Sequence, residues 1–205
     1  MKFNTKTIHG GQDNIDPAYN SVMPPIYQTT TFSQSSPGDH NGFEYSRSGN
    51  PTRAALEKSL ASIENGEYGL AFSSGLAAID AVMKLLKPGD EVIVSPYSMS
   101  ISATAPFFWG GIPVFADIDE KNFCIAPESL KSKITAKTKA IIVVHIMGHP
   151  AEMDEIMAIA NEHGIAVIED AAHALPTRYK NKLVGALESD VTVFSFYANK
   201  TITTG

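Results

Sequence analysis

The chain has 205 residues, 43% of them hydrophobic and 19% charged, which is enough apolar material for a sizeable core and points to one large globular domain. A net charge of -6 and a pI near 5.5, with no run of like charges, argue against the basic face of a nucleic-acid binder. The single cysteine, Cys124, excludes an internal disulfide framework, fits a reducing compartment and reads as inert packing.

The N-terminal MKFNTKTIHGG lacks the long apolar core of a signal peptide, which predicts a cytoplasmic protein. Residues 1–52 carry little periodicity and many turn formers, among them GGQDN, SPGDHNG and SGNP. A segment this long and irregular is expected to be an arm laid across a partner subunit. From Pro51, PTRAALEKSLASIENG reads as a helix with Pro at its start and AsnGly as its stop. YGLAF is a short apolar strand candidate. In SSGLAAIDAVMKLLKPGD, Ser73 or Ser74 can cap a helix that turns Leu76, Ile79, Val82, Met83 and Leu86 inward.

Beyond Lys87 the chain alternates. EVIV is a strand, a helix lies around Ser102 to Trp109, IPVFADI is a strand, and PESLKSKI is an amphipathic helix. AIIVVHI (strand), MDEIMAIANEHG (helix), AVIEDA (strand) and VTVFSFY (strand) follow. Short all-apolar strands separated by helices predict an α/β fold of three layers, a mostly parallel sheet with helices on both faces. The uncharged stretch from Val92 to Ala116 is not a membrane span, because prolines, the Gly110 Gly111 pair and several hydroxyl residues punctuate it.

In open parallel sheets ligands sit at the carboxyl ends of the strands, so polar residues just after apolar runs matter most. Three places stand out. AFSSGLAAID places free backbone N–H groups at a helix start, with Gly75 allowing an anion close to the backbone, although any capped helix looks similar. AVIEDAAHA ends a buried strand in Glu169 and Asp170, with His173 near enough in sequence to reach the same cavity. Helix capping or a structural ion pair is the plainer reading of those acids. SFYANKTITTG presents Lys200, which taken alone is a surface cation, but in a desolvated pocket could form a Schiff base.

Together the three describe one ligand with a phosphate, a group needing a carboxylate and an aldehyde needing an amine. Pyridoxal phosphate has all three. HIMGH spaces His145 and His149 four apart, but Gly148 and Pro150 interrupt any helix that would align them on a metal, so no metal site is expected. A hydrolase reading fails for lack of a GxSxG elbow.

TKTIHGG, PPIYQTTTF, EYSRSGNPTR and SSGLAAIDAVMKLLKPGDEVI, within residues 1–93, resemble the cystathionine γ-synthase and γ-lyase family of Cys/Met metabolism. GGIPVFADID, ITAKTKAIIVVHIMGHPAEMDEI, HGIAVIEDAAHA and SFYANKTITTG, within residues 92–205, resemble the DegT-type sugar aminotransferases. Both families are fold type I pyridoxal-phosphate enzymes. The resemblance implies that Lys200 is the Schiff-base lysine, that Asp170 faces the pyridine nitrogen, and that His173 lies beside the ring near its 3-hydroxyl. It gives the phosphate to Ser74, to the backbone amides of Gly75 and Leu76, and to Ser195. Tyr45 and Arg47 would reach it from a neighbouring subunit of a homodimer or homotetramer.

Two departures stand out: the ring-stacking position falls near Met99, Tyr97 or Ser100, and Leu76 stands where aminotransferases commonly have threonine. Both families also continue well beyond the lysine, so the resemblance implies an arm at 1–52, an incomplete cofactor-binding domain at 53–205 and an absent small C-terminal domain. The expected function is amino transfer from an amino acid to a keto acceptor, such as a keto group on a nucleotide sugar. γ-Replacement or elimination on a cystathionine-type substrate is the runner-up. An inactive truncated or chimeric fragment is the third reading.

Overall fold

The computed structural model describes residues 1–12 and 18–204, which pack as two units divided between Ala71 and Phe72. Part of the expected N-terminal arm, residues 13–17, lies outside the described residues.

In the N-terminal unit the predicted helix appears as α2 (Pro51–Glu64), with α1 (Phe3–His9) packed against it. The sequence sets both ends of α2. Asn50 accepts a hydrogen bond from the Thr52 N–H at 2.9 Å, Pro51 occupies the first turn, and Asn65 closes the helix in the left-handed conformation. α1 was not legible in the sequence. It has no side-chain N-cap and buries none of its residues, and what holds it is long-range: Lys6 Nζ donates to Ser62 O at 2.9 Å and to Asn65 Oδ1 at 2.6 Å.

YGLAF does not form the expected strand; among the described residues no strand pairs with it. It runs along α2 instead. The Ala71 N–H donates to Glu57 Oε1, and a Cβ at Gly69 would come within 2.2 Å of the Glu57 carbonyl oxygen.

The C-terminal unit is built on a parallel five-stranded sheet in the order β2-β1-β3-β4-β7, comprising β1 (Glu91–Val94), β2 (Ile112–Phe115), β3 (Thr138–Val144), β4 (Ala166–Asp170) and β7 (Val191–Val193). Alternate side chains leave its two faces, as the two-residue period requires. Val92, Val94, Ala140, Ile142, Ile168 and Val193 pack with α3 (Gly75–Met83) and α4 (Ile101–Phe108). Ile93, Ile141, Val143 and Val167 pack with α5 (Pro127–Lys133) and α6 (Met153–His163). The three-layer α/β expectation therefore holds.

Differences are local. β7 is shorter than VTVFSFY because β4, its neighbour, ends at Asp170, and the Ala171 N–H to Val193 O bond closes the ladder. An unforeseen two-residue hairpin, β5 (Arg178–Tyr179) and β6 (Lys182–Leu183), turns at Lys180 and Asn181, both at positive φ. Among the described residues no helix is long and apolar enough to cross a membrane.

Candidate cofactor site

The carboxyl ends of the central strands converge on Asp170. It is in register with Val144 of β3 and Val193 of β7, and its main-chain oxygen accepts the His145 N–H at 3.1 Å. It follows Ile168 by two residues, so its side chain shares the α3/α4 face. The residue is 8% exposed, and Oδ1 accepts a single hydrogen bond, from the Ala172 N–H at 3.1 Å. Among the described residues no cation pairs with it. A carboxylate shielded this far loses several kcal/mol of hydration unless a positive or proton-bearing group meets it. Such a group fits here.

A second feature comes from α3. The connection from Lys84 to Asp90 returns the chain directly to the start of β1, and α3 packs across the sheet to β7, which turns its N-terminus toward the carboxyl ends of the strands. Ser74, extended at φ -161°, caps the helix by accepting the Ala77 N–H at 3.1 Å. A Cβ built on Gly75 would meet nothing within 4 Å, so the space over this helix start is open. Free amides, the positive end of the macrodipole and open space together suit a phosphate. Leu76 was expected to face the core but is 54% exposed, because it sits in the first turn while Ile79 and Met83 take the buried stripe.

Lys200 follows β7 beyond the same end of the sheet. It is half-buried, its N–H donates to Tyr197 O at 2.9 Å, and among the described residues its ammonium has no hydrogen-bond or ion-pair partner. Ser195 lies between strand and lysine, its Oγ accepting the Tyr197 N–H at 3.4 Å. Asp170, Ser195 and Lys200 thus lie at or beyond the carboxyl ends of β4 and β7, the end toward which the start of α3, with Ser74 to Leu76, is turned. His173 is exposed in the turn after Asp170 and makes no side-chain hydrogen bond among the described residues.

Glu169 does not share this site. It points to the α5/α6 face, is fully buried, and accepts from His145 Nε2 at 2.7 Å, Thr192 Oγ1 at 2.9 Å and Ser189 Oγ. Reading Glu169 and Asp170 as a pair overlooked the strand period that separates them. Ser189 and Thr192 were not singled out in the sequence: Thr192 stands opposite Glu169 only through the β4–β7 register, and Ser189 lies just before β7.

Tyr45 and Arg47 belong to the N-terminal unit, where the exposed Arg47 guanidinium lies 4.9 Å over the Tyr45 ring. Of the ring-stacking candidates, Tyr97 packs against Phe123 with centroids 5.9 Å apart, Met99 is exposed, and Ser100 opens α4 without a capping bond. His145 and His149 do not converge. The first is held by Glu169, and Nδ1 of the second lies 2.9 Å from Pro150 O.

The sequence profile of the DegT/DnrJ/EryC1/StrS aminotransferase family matches residues 43–205, carrying the aminotransferase likeness well ahead of residue 92. The spore coat polysaccharide biosynthesis protein SpsC of Bacillus subtilis (strain 168) is 42% identical over 157 residues, covering 76% of this chain and 40% of that protein. GDP-perosamine synthase of Escherichia coli O157:H7 is 38% identical over 152 residues, covering 73% and 42%. The chain therefore spans about two fifths of the length of these relatives.

Among solved structures, metB from Corynebacterium glutamicum superposes with a TM-score of 0.74 at 31% identity, covering 85% of this chain and 46% of that one. NtdA from Bacillus subtilis, with bound cofactor PMP, gives 0.67 at 34%, covering 76% and 35%. The profile match supports the aminotransferase resemblance; the synthase resemblance of residues 1–93 is not shown, although metB is a structural neighbour.

Proposed function

We propose, for a chain that belongs to the DegT/DnrJ/EryC1/StrS aminotransferase family, that it supplies the cofactor-binding residues of a pyridoxal-phosphate-dependent aminotransferase. The donor is an amino acid and the acceptor a keto sugar, nucleotide-linked in the reading that the likeness to GDP-perosamine synthase favours. The observation that carries this is Asp170, a nearly buried carboxylate at the carboxyl end of a central strand with one N–H donor and, among the described residues, no cation.

Bound pyridoxal phosphate supplies an aldehyde that joins an amine and a protonated ring that draws electrons from the substrate carbon. Asp170 would keep the pyridine nitrogen protonated. Ser74 and the amides of Gly75 and Leu76 would hold the phosphate with Ser195, and His173 would lie beside the ring. Lys200, whose ammonium has no partner among the described residues, would hold the cofactor and then carry a proton at the substrate carbon. In a homo-oligomer, Tyr45 and Arg47 would serve the neighbouring site. The exposed Arg47, with a tyrosine ring as its neighbour and no acid paired with it among the described residues, supports that role.

The test is chemical. Purified chain mixed with pyridoxal phosphate and reduced with borohydride should carry one phosphopyridoxyl mass on the peptide containing Lys200, and K200A should carry none. Labelling spread over other lysines, with Lys200 unmodified, would overturn the reading.

The metB likeness, which covers 85% of the chain, favours a second reading: γ-replacement or elimination. Keto acid released from cystathionine, with no amino transfer from glutamate, would favour it.

A further inference from the structure

Glu169 gathers donors from three directions. Thr192 lies directly opposite it in the β4–β7 register and donates from 2.9 Å; Ser189, just before β7, donates to the same oxygen. His145, the first residue after β3, approaches Oε2 at 2.7 Å through Nε2. Its Nδ1 accepts the Ala151 N–H at 3.1 Å, which leaves the ring proton on Nε2 to donate to the carboxylate. Both His145 and Glu169 side chains are 0% exposed. One buried acid thus ties β3, β4, β7 and the approach to α6.

β7 needs such a tie. It is three residues long and, among the described residues, is held to β4 over only three register positions. A one-residue slip would turn Thr192 away from Glu169 and Val193 out of the core, and a two-residue slip would carry Lys200 about 7 Å along the strand. The backbone ladder is too short to resist either, whereas Glu169 stripped of its hydroxyls would be a buried, underpaired charge.

We propose that Glu169, with Thr192, Ser189 and His145, is a buried register clamp that sets Lys200 against Asp170. These are positioning residues acting from the opposite face of the sheet. The proposal rests on the cofactor reading for its purpose, but the clamp itself can be tested without cofactor.

The test compares T192V, which keeps shape and removes the hydroxyl, with T192S, which keeps the hydroxyl and loses the methyl. Hydrogen exchange of the cofactor-free chain should show protection of residues 191–200 lost in T192V and restored in T192S, while β1 and β3 stay protected in both. Borohydride labelling of Lys200 at limiting pyridoxal phosphate should fall about tenfold in T192V and recover in T192S. Unchanged protection in T192V, or T192S impaired while T192V is intact, would overturn the clamp in favour of simple packing. Failure of the parent chain to label at Lys200 would overturn the cofactor reading instead and leave the clamp to be decided by exchange.

Discussion

Asp170 and Glu169 are consecutive on β4 and chemically alike, yet they face opposite sides of the sheet and differ in how they are satisfied. Glu169 has three side-chain donors and Asp170 one backbone N–H. A fully bonded buried acid stabilises structure, whereas one with a single donor keeps acceptor capacity for a ligand.

That contrast predicts opposite effects of one substitution. In the cofactor-free chain, D170N removes a shielded, unpaired charge and should raise the melting temperature. With pyridoxal phosphate bound it loses a charged hydrogen bond worth about 1.5–3 kcal/mol, which weakens affinity roughly tenfold to a hundredfold. Thermal melts with and without cofactor should therefore rank the parent and D170N in opposite orders. The same order in both conditions would remove Asp170 from the site.

Much of this arrangement was legible in the sequence. AIIVVHI, apolar without alternation, could only be a strand covered on both faces, and β3 is that strand. Asn50, Pro51 and Asn65 bounded α2 through local chemistry. What escaped depended on distant partners. YGLAF had strand composition but no strand neighbour among the described residues, α1 is held by bonds from Lys6 to the far end of α2, and Thr192 gained its meaning only from standing opposite Glu169. Leu76 fitted the helical stripe by count, but a first-turn residue lies beyond the edge of the layer it was expected to join.

The open space over Gly75 makes a second prediction. With nothing within 4 Å of a Cβ there, G75A should fold and gain up to about 1 kcal/mol of stability from helix propensity. If that space receives the phosphate, the added methyl should raise the Kd for pyridoxal phosphate while leaving affinity for pyridoxal, which lacks the phosphate, little changed. Titration with both ligands decides it, and equal effects on the two would place the phosphate elsewhere.

Cys124 is 1% exposed, burial pushes its thiol pKa upward, and its Sγ lies 3.5 Å from His149 O. It should therefore stay a thiol at neutral pH and react with iodoacetamide only when the chain opens. Alkylation of the native chain should be slower than in denaturant by an order of magnitude or more. Equal rates in a mass-spectrometric time course would show that this part of the α5/α6 layer is open.

Glu64 predicts a pH dependence. It is the last residue of α2, its Oε2 is buried without a hydrogen-bond partner among the described residues, and burial raises its pKa above the ordinary 4.5. The helix C-terminus, carrying partial negative charge, adds to the disfavour of a carboxylate there. Between 4.5 and the raised value the folded chain binds the proton more tightly than the unfolded chain, so stability falls as pH rises through that window. Below it both states are protonated and the burden disappears. E64Q keeps the shape and cannot ionise, so it should melt a few degrees above the parent at pH 7 and lose that advantage below about pH 4.5. Circular-dichroism melts of both proteins across this range measure the difference, and an advantage independent of pH would assign the effect to packing.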